Sequence, residues 1–197
     1  MRYLWYYRVH TRRAVVAGIL AVLGALLWTQ GCRTQRAPAA ALRDAVMRGD
    51  VARVQSAIAA GARADARGDM GQTLVHLAVV AGTARKDMLE ILVKHGADVN
   101  AADATHLTAL HYAVAQRPVH VVEALLDCGA DPNAGGDADP PVLIWAVEMR
   151  VSPRVVACLL KAGAMPDAKD RYGRSAREYA TIFGQPEILA LFAEASK

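Results

Sequence analysis

Six histidines and three cysteines are the residues of this 197-residue chain whose side chains could bind a metal or act as nucleophiles. To hold zinc, two or three of His10, His76, His95, His106, His111 and His120 would have to converge with a carboxylate or thiolate. Their spacings, with Cys32, Cys128 and Cys158 scattered among them, fit no ligand pattern. A hydrolase nucleophile on a strand–helix elbow calls for Gly-x-Ser-x-Gly, and a nucleotide site calls for a P-loop or Gly-x-Gly-x-x-Gly. Neither occurs, and Gly135-Gly136 is an isolated loop pair. No catalytic residue, metal, cofactor or small-molecule substrate is therefore expected, and the chain does not read as an enzyme.

The elements that carry these residues recur. Closing turns read Ala-Gly-Ala at 60–62, His-Gly-Ala-Asp-Val-Asn at 95–100, Cys-Gly-Ala-Asp-Pro-Asn at 128–133 and Ala-Gly-Ala-Met-Pro-Asp at 162–167. Their glycines, Gly61, Gly96, Gly129 and Gly163, lie 35, 33 and 34 residues apart. Glycine after a helix takes a left-handed backbone without a Cβ penalty. Ahead of each closer, paired aliphatics such as Leu89, Ile91 and Leu92, or Val121, Val122, Leu125 and Leu126, form an apolar stripe at helical spacing. Opening turns run Gly71-Gln72-Thr73-Leu74-Val75-His76-Leu77-Ala78 and Thr108-Ala109-Leu110-His111-Tyr112-Ala113. A degraded copy follows at Pro141 to Ala146, and another at Gly173 to Ala180. Turn plus two helices at this period resembles ankyrin repeats. The resemblance implies an all-α solenoid of about five helix-turn-helix repeats over 41–197, with repeats near 41–67, 68–102, 103–135, 136–169 and 170–197.

The resemblance also assigns roles. The motif histidines His76 and His111 become framework residues that bond within and between turns, and Thr73 and Thr108 cap their helices. His106 replaces a turn glycine and must tolerate positive φ. Repeat four lacks both motif groups, with Pro141 and Ile144 in their places, so its turn relies on Pro140-Pro141 and on packing of Trp145. Aligned stripes set Cys158 level with Ala124, one turn away from Cys128. That offset exceeds a disulfide's reach and leaves two thiols, with Cys158 buried. The two extra residues in Gly82 to Met88, with Arg85 and Lys86, read as a solvated loop.

Partners of such solenoids touch the turn tips and the exposed side of the first helices, the concave face. Here the tips carry Asp69, Met70 and Gln72; Ala104, Thr105 and Leu107; Asp137, Ala138 and Pro140; and Arg171, Tyr172 and Arg174. The first helices offer Met47 and Arg48, Val80 and Ala81, Ala115 and Gln116, Glu148 and Met149, and Ile182 and Phe183. Met70, Leu107, Met149 and Tyr172 are apolar where water would favour charge, which suits a protein interface. The alternative is that some of these, chiefly Ile182 and Phe183, pack the C-terminal cap.

The chain's net charge of +4 is misleading. Residues 1–40 hold six arginines and no acid, and the rest holds 17 basic and 19 acidic side chains, so no nucleic-acid face is expected. Ala14 to Trp28 is an unbroken apolar run preceded by four arginines. It covers about 22 Å as a helix, or about 28 Å if extended to Cys32. Residues 1–31 read as a signal peptide or a transmembrane anchor, and 32–40 as a tether. The stretch Leu26-Leu27-Trp28-Thr29-Gln30-Gly31-Cys32 resembles the lipobox of bacterial lipoproteins, with Cys32 as the acylated residue and Thr29 as a departure from its usual leucine. Both readings keep the N-terminus inside and set the repeats in the periplasm of a bacterial envelope. The expectation is a protein-binding module attached to the membrane through its N-terminal segment. Two sharper forms are an immunity protein against a secreted toxic effector, such as a phospholipase, and a scaffold for an envelope enzyme.

Overall fold

Each glycine of the closing turns sits where a second helix stops and the chain must reverse. The computed structural model describes residues 38–116, 118–135 and 140–195. Gly61, Gly96, Gly129 and Gly163 all take φ near +90°. The two amides after each helix return to its last turn, as in Gly96 N–H to Val93 O at 3.0 Å and Ala97 N–H to Leu92 O at 2.9 Å.

The described residues form ten helices in five pairs: α1 over 38–48 with α2 Val51–Ala59, α3 Leu74–Ala81 with α4 Lys86–Lys94, α5 Ala109–Gln116 with α6 Val119–Asp127, α7 Val142–Glu148 with α8 Pro153–Lys161, and α9 Ala176–Ile182 with α10 Pro186–Ala195. α3, α5, α7 and α9 pack in one row, and α2, α4, α6, α8 and α10 in a second. A small residue recurs at one position of the first helices, as Ala45, Ala78, Ala113, Ala146 and Ala180, all buried. Absence of a larger side chain there lets neighbouring helices approach closely. In the second row Leu92, Leu125 and Leu159 are fully buried and fill the matching position.

Three short fingers precede the first helices, closed by the isolated pairings Arg67–Thr73, Ala102–Thr108 and Lys169–Ser175. Stacking is also fixed between repeats. The Asn100 amide accepts from Asp131 N–H at 2.7 Å and donates to Gly129 O at 3.0 Å, and Asn133 does the same with Met165 N–H and Gly163 O. The equivalent terminal positions are Asp65 and Asp167, which cannot donate and pair instead with Arg63 and Arg177.

Several expectations change here. The α1 helix already covers residues 38–40, inside the stretch read as tether. The loop of repeat two ends at Arg85, and Lys86 opens α4 and pairs with Asp127 of α6 at 2.7 Å instead of lying in a solvated loop. Cys158 is only half-buried, because Val155, Val156 and Leu159 take the core side of α8. Cys128 and Cys158 are free thiols. Residues 1–31, Cys32 and Asp137 lie outside the described residues. No helix among the described residues is long and apolar enough to cross a membrane.

The irregular fourth turn rests on Gly135, at φ +118°, where a Cβ would stand 2.7 Å from Pro140 O and 2.8 Å from Pro141 Cα. Both neighbours are backbone and cannot yield. Gly135→Ala is expected to cost about 3 kcal/mol from strain and overlap together, read as a fall of roughly 10 °C in melting temperature. An unchanged melting temperature would contradict this packing.

Candidate functional site

The two histidines with the most suggestive sequence context are fully engaged in structure. His76 Nδ1 accepts from Thr73 N–H at 3.2 Å and lies 2.9 Å from Thr73 Oγ1. The ring proton therefore sits on Nε2, which donates to Leu107 O of the next repeat at 3.1 Å. His111 repeats this with Thr108 and with Pro140 O, also at 3.1 Å. Each ring meets an aromatic neighbour edge-on, His76 with Tyr112 and His111 with Trp145. In the last repeat Glu178 takes the histidine's place and closes a capping box with Ser175. His106 has φ +63°, as its place in the turn requires. His95 is exposed and bonds back to Ile91 O. Among the described residues no group of three or more His, Cys, Asp or Glu is placed to hold a metal ion.

Burial pulls the His76 imidazole below its usual pKa, and the bond to Leu107 and the charge of Asp103 only partly offset it. An unfolded histidine, near 6.5, then binds a proton that the folded ring refuses. His76 contributes its full stability above about pH 6.5 and loses it as pH falls through that value. Denaturation midpoints should drop between about pH 7 and pH 5, by no more than about 1.4 kcal/mol per pH unit for one proton, and less in His76→Gln. Equal slopes in the two proteins would contradict a neutral, buried His76.

The fingers are built from within. Buried Asp103 accepts from Thr105 N–H, Thr105 Oγ1, Leu107 N–H and Tyr112 OH. Burial pushes its carboxyl up, but these donors outweigh that and hold it low. Asp170 does the same in the last finger, accepting from Tyr172 N–H, Arg174 N–H and Tyr179 OH. In repeat four Trp145 stands where repeats three and five have Tyr112 and Tyr179. Its Nε1 is buried and has no hydrogen-bond partner. Nothing in the one-dimensional pattern pointed to that orphan.

What remains accessible lies on the fingers and the outward side of the first helices. Met47, Val80, Ala115, Glu148 and Ile182 occupy one helical position in the five repeats. Met47, Val80 and Ile182, with Met70, Met149 and Tyr172, are exposed at 47–68%. Two positions of this face separate exposure from packing. Leu107 is half-buried, because its backbone is held by both His76 and Asp103. Ile182 is open to solvent, and Phe183 alone packs the cap by stacking on Tyr179 at 5.9 Å. Arg48 pairs with Asp44, and Asp69, Thr105, Gln116, Arg171 and Arg174 are exposed, with Gln72 half-buried. Glu148 is half-buried in the strip. Burial, and then the charge of Asp170, raises its carboxyl above the usual range. Met165, on a closing turn away from these fingers, is exposed as well. The described residues leave one partly apolar face exposed.

Residues 42–136 match the family model described as ankyrin repeats (3 copies). The chain is similar to an ankyrin repeat-containing protein of Treponema pallidum (strain Nichols), 32% identical over 147 residues, covering 74% of this chain and 48% of that protein. It is also similar to ankyrin repeat and SOCS box protein 6 of Mus musculus, 35% identical over 77 residues, covering 38% of this chain and 18% of the relative. Potassium channel AKT2/3 of Arabidopsis thaliana is 26% identical over 150 residues, covering 75% and 18%. The chain thus spans about half or less of the length of these relatives.

Proposed function

Since residues 42–136 carry ankyrin repeats, which are protein-interaction modules without catalytic machinery, we propose that the chain holds a partner protein on its first-helix and finger face while its N-terminal segment tethers it to a bacterial envelope. The observation that carries the binding role is the aligned strip of Met47, Val80 and Ile182, flanked by Met70, Met149 and Tyr172, large apolar side chains left open to water on a rigid scaffold. Support for the tether is the run Ala14 to Trp28 behind four arginines, ending in a lipobox-like stretch at Cys32. In this reading the repeats face the periplasm, either inhibiting a toxic secreted effector as an immunity protein or scaffolding an envelope enzyme.

Capture from envelope extract tests the face. Wild type should retain a partner that the Met47→Asp/Val80→Asp/Ile182→Asp variant loses, and equal recovery by both would sink the proposal. Inhibition of the captured partner would favour the immunity form, and co-purification with intact activity the scaffold. Acyl-chain labelling tests the tether separately. Label on wild type and none on Cys32→Ser marks a lipoprotein, and equal label on both excludes it.

A further inference from the structure

At the C-terminal end of the same face, arginines lie over aromatic rings along α9 and its finger. The Arg174 guanidinium is 5.9 Å from the centre of the Tyr179 ring. Tyr179 stacks on Phe183 at 5.9 Å with 27° between the planes. The Arg150 guanidinium is 5.7 Å from the Phe183 ring and also reaches Phe183 O at 3.5 Å. Two cations thus bracket a stacked aromatic pair. On the finger beside them Arg171 lies 4.9 Å over Tyr172, the most exposed large apolar side chain described.

All three arginines are exposed, and among the described residues none of them takes part in an ion pair. Asp170, beside Arg171 in sequence, is occupied by two finger amides and the Tyr179 hydroxyl, and the Arg174 side chain interacts with Asp170 and Glu178 only through their charges. A guanidinium stacked on a ring keeps its N–H edge available and has already lost much of its rotamer freedom, so it meets a carboxylate at low entropic cost.

We propose that Arg150, Arg171 and Arg174 receive carboxylates of an acidic segment of the partner protein, whose apolar side chains lie on Ile182 and Met149. The inference rests on the protein-binding reading above. Charge complementarity favours an acidic partner, and the neighbouring side chains favour a protein segment over a polyphosphate chain. Exposed Met149, Tyr172 and Ile182 lie beside the arginines and would be covered by apolar side chains of a protein segment, which a phosphate backbone does not carry.

The test measures fluorescence anisotropy of the full chain in detergent micelles with a labelled peptide of alternating glutamate and leucine. The comparison probes are its lysine-for-glutamate counterpart and an oligothymidylate of equal charge. The acidic peptide should bind at least about tenfold tighter than either, and weaken about a hundredfold in Arg150→Gln/Arg171→Gln/Arg174→Gln, a variant that stays folded by circular dichroism at the assay temperature. The Arg→Lys triple variant, which keeps charge but loses the fork, should fall between. Absence of acidic-peptide binding, equal binding of the lysine peptide or oligothymidylate, or full binding by the glutamine variant would overturn the inference. If the Met47/Val80/Ile182 variant still loses the envelope partner while the acidic peptide fails, only this inference falls. If that variant keeps the partner, the binding reading falls first.

Discussion

His111→Ala is expected to lower stability by about 4 kcal/mol. The substitution empties a fully buried ring site and leaves three polar groups without their partner, Thr108 N–H, Thr108 Oγ1 and Pro140 O. Truncation of a large core side chain contributes about 2–4 kcal/mol and each buried orphan about 1–3, with partial relaxation reducing the sum. For a domain of this size that is roughly 10 °C in melting temperature. Position matters beyond magnitude. Repeat four has Ile144 in place of a motif histidine, so its turn is held from behind by His111 and from within by Val142 N–H to Ala134 O. Each repeat contacts only its neighbours, so loss of a bond between repeats three and four is felt first beyond it. Hydrogen exchange should therefore rise in α7 to α10 before α1 to α4. A loss below about 1 kcal/mol, or uniform deprotection of all five repeats, would contradict the role assigned to this ring.

The second large effect falls on binding and spares stability. Met47, Val80 and Ile182 touch solvent over about half or more of their surface, so aspartate there should change stability by no more than about 0.5 kcal/mol per site. Against a partner the same charges must be desolvated in an apolar contact, and two or three such sites together should cut affinity by more than about a hundredfold. Leu107→Asp is the informative contrast. Its side chain is half-buried between two anchored turns, so loss of binding there would be accompanied by loss of stability. A melting temperature that falls equally in the strip variants would mean the strip is core rather than surface.

Much of this was legible without coordinates. The glycines at 61, 96, 129 and 163 must follow helices, and each takes the positive φ that the reading required. The resemblance to ankyrin repeats makes His76 and His111 framework residues, and both rings are buried and bonded to Thr73 and Thr108. What the pattern could not supply is whether the next repeat covers a given position. Ile182 and Phe183 are adjacent in sequence but point about 100° apart at a helix end, so one packs on Tyr179 and the other faces water. Leu107 has the composition of a surface anchor, and its exposure is decided by two hydrogen bonds from residues of different repeats. The asparagine ladder was visible in principle. Aligning Asp65, Asn100, Asn133 and Asp167 shows the amide in repeats two and three, where it bonds the closing turn of the repeat that follows.

The central claim is that the first-helix and finger face, and not the second-helix face, meets a partner. Photocrosslinking in envelope preparations tests it most directly, with the photoreactive residue at Ile182 or Met70 on one side and at exposed Glu123 of α6 on the other. The account predicts a discrete protein adduct from Ile182 and Met70 and none from Glu123, with the adduct lost when Met47 and Val80 are changed to aspartate. An adduct from Glu123 alone, or equal adducts from all three positions, would contradict it.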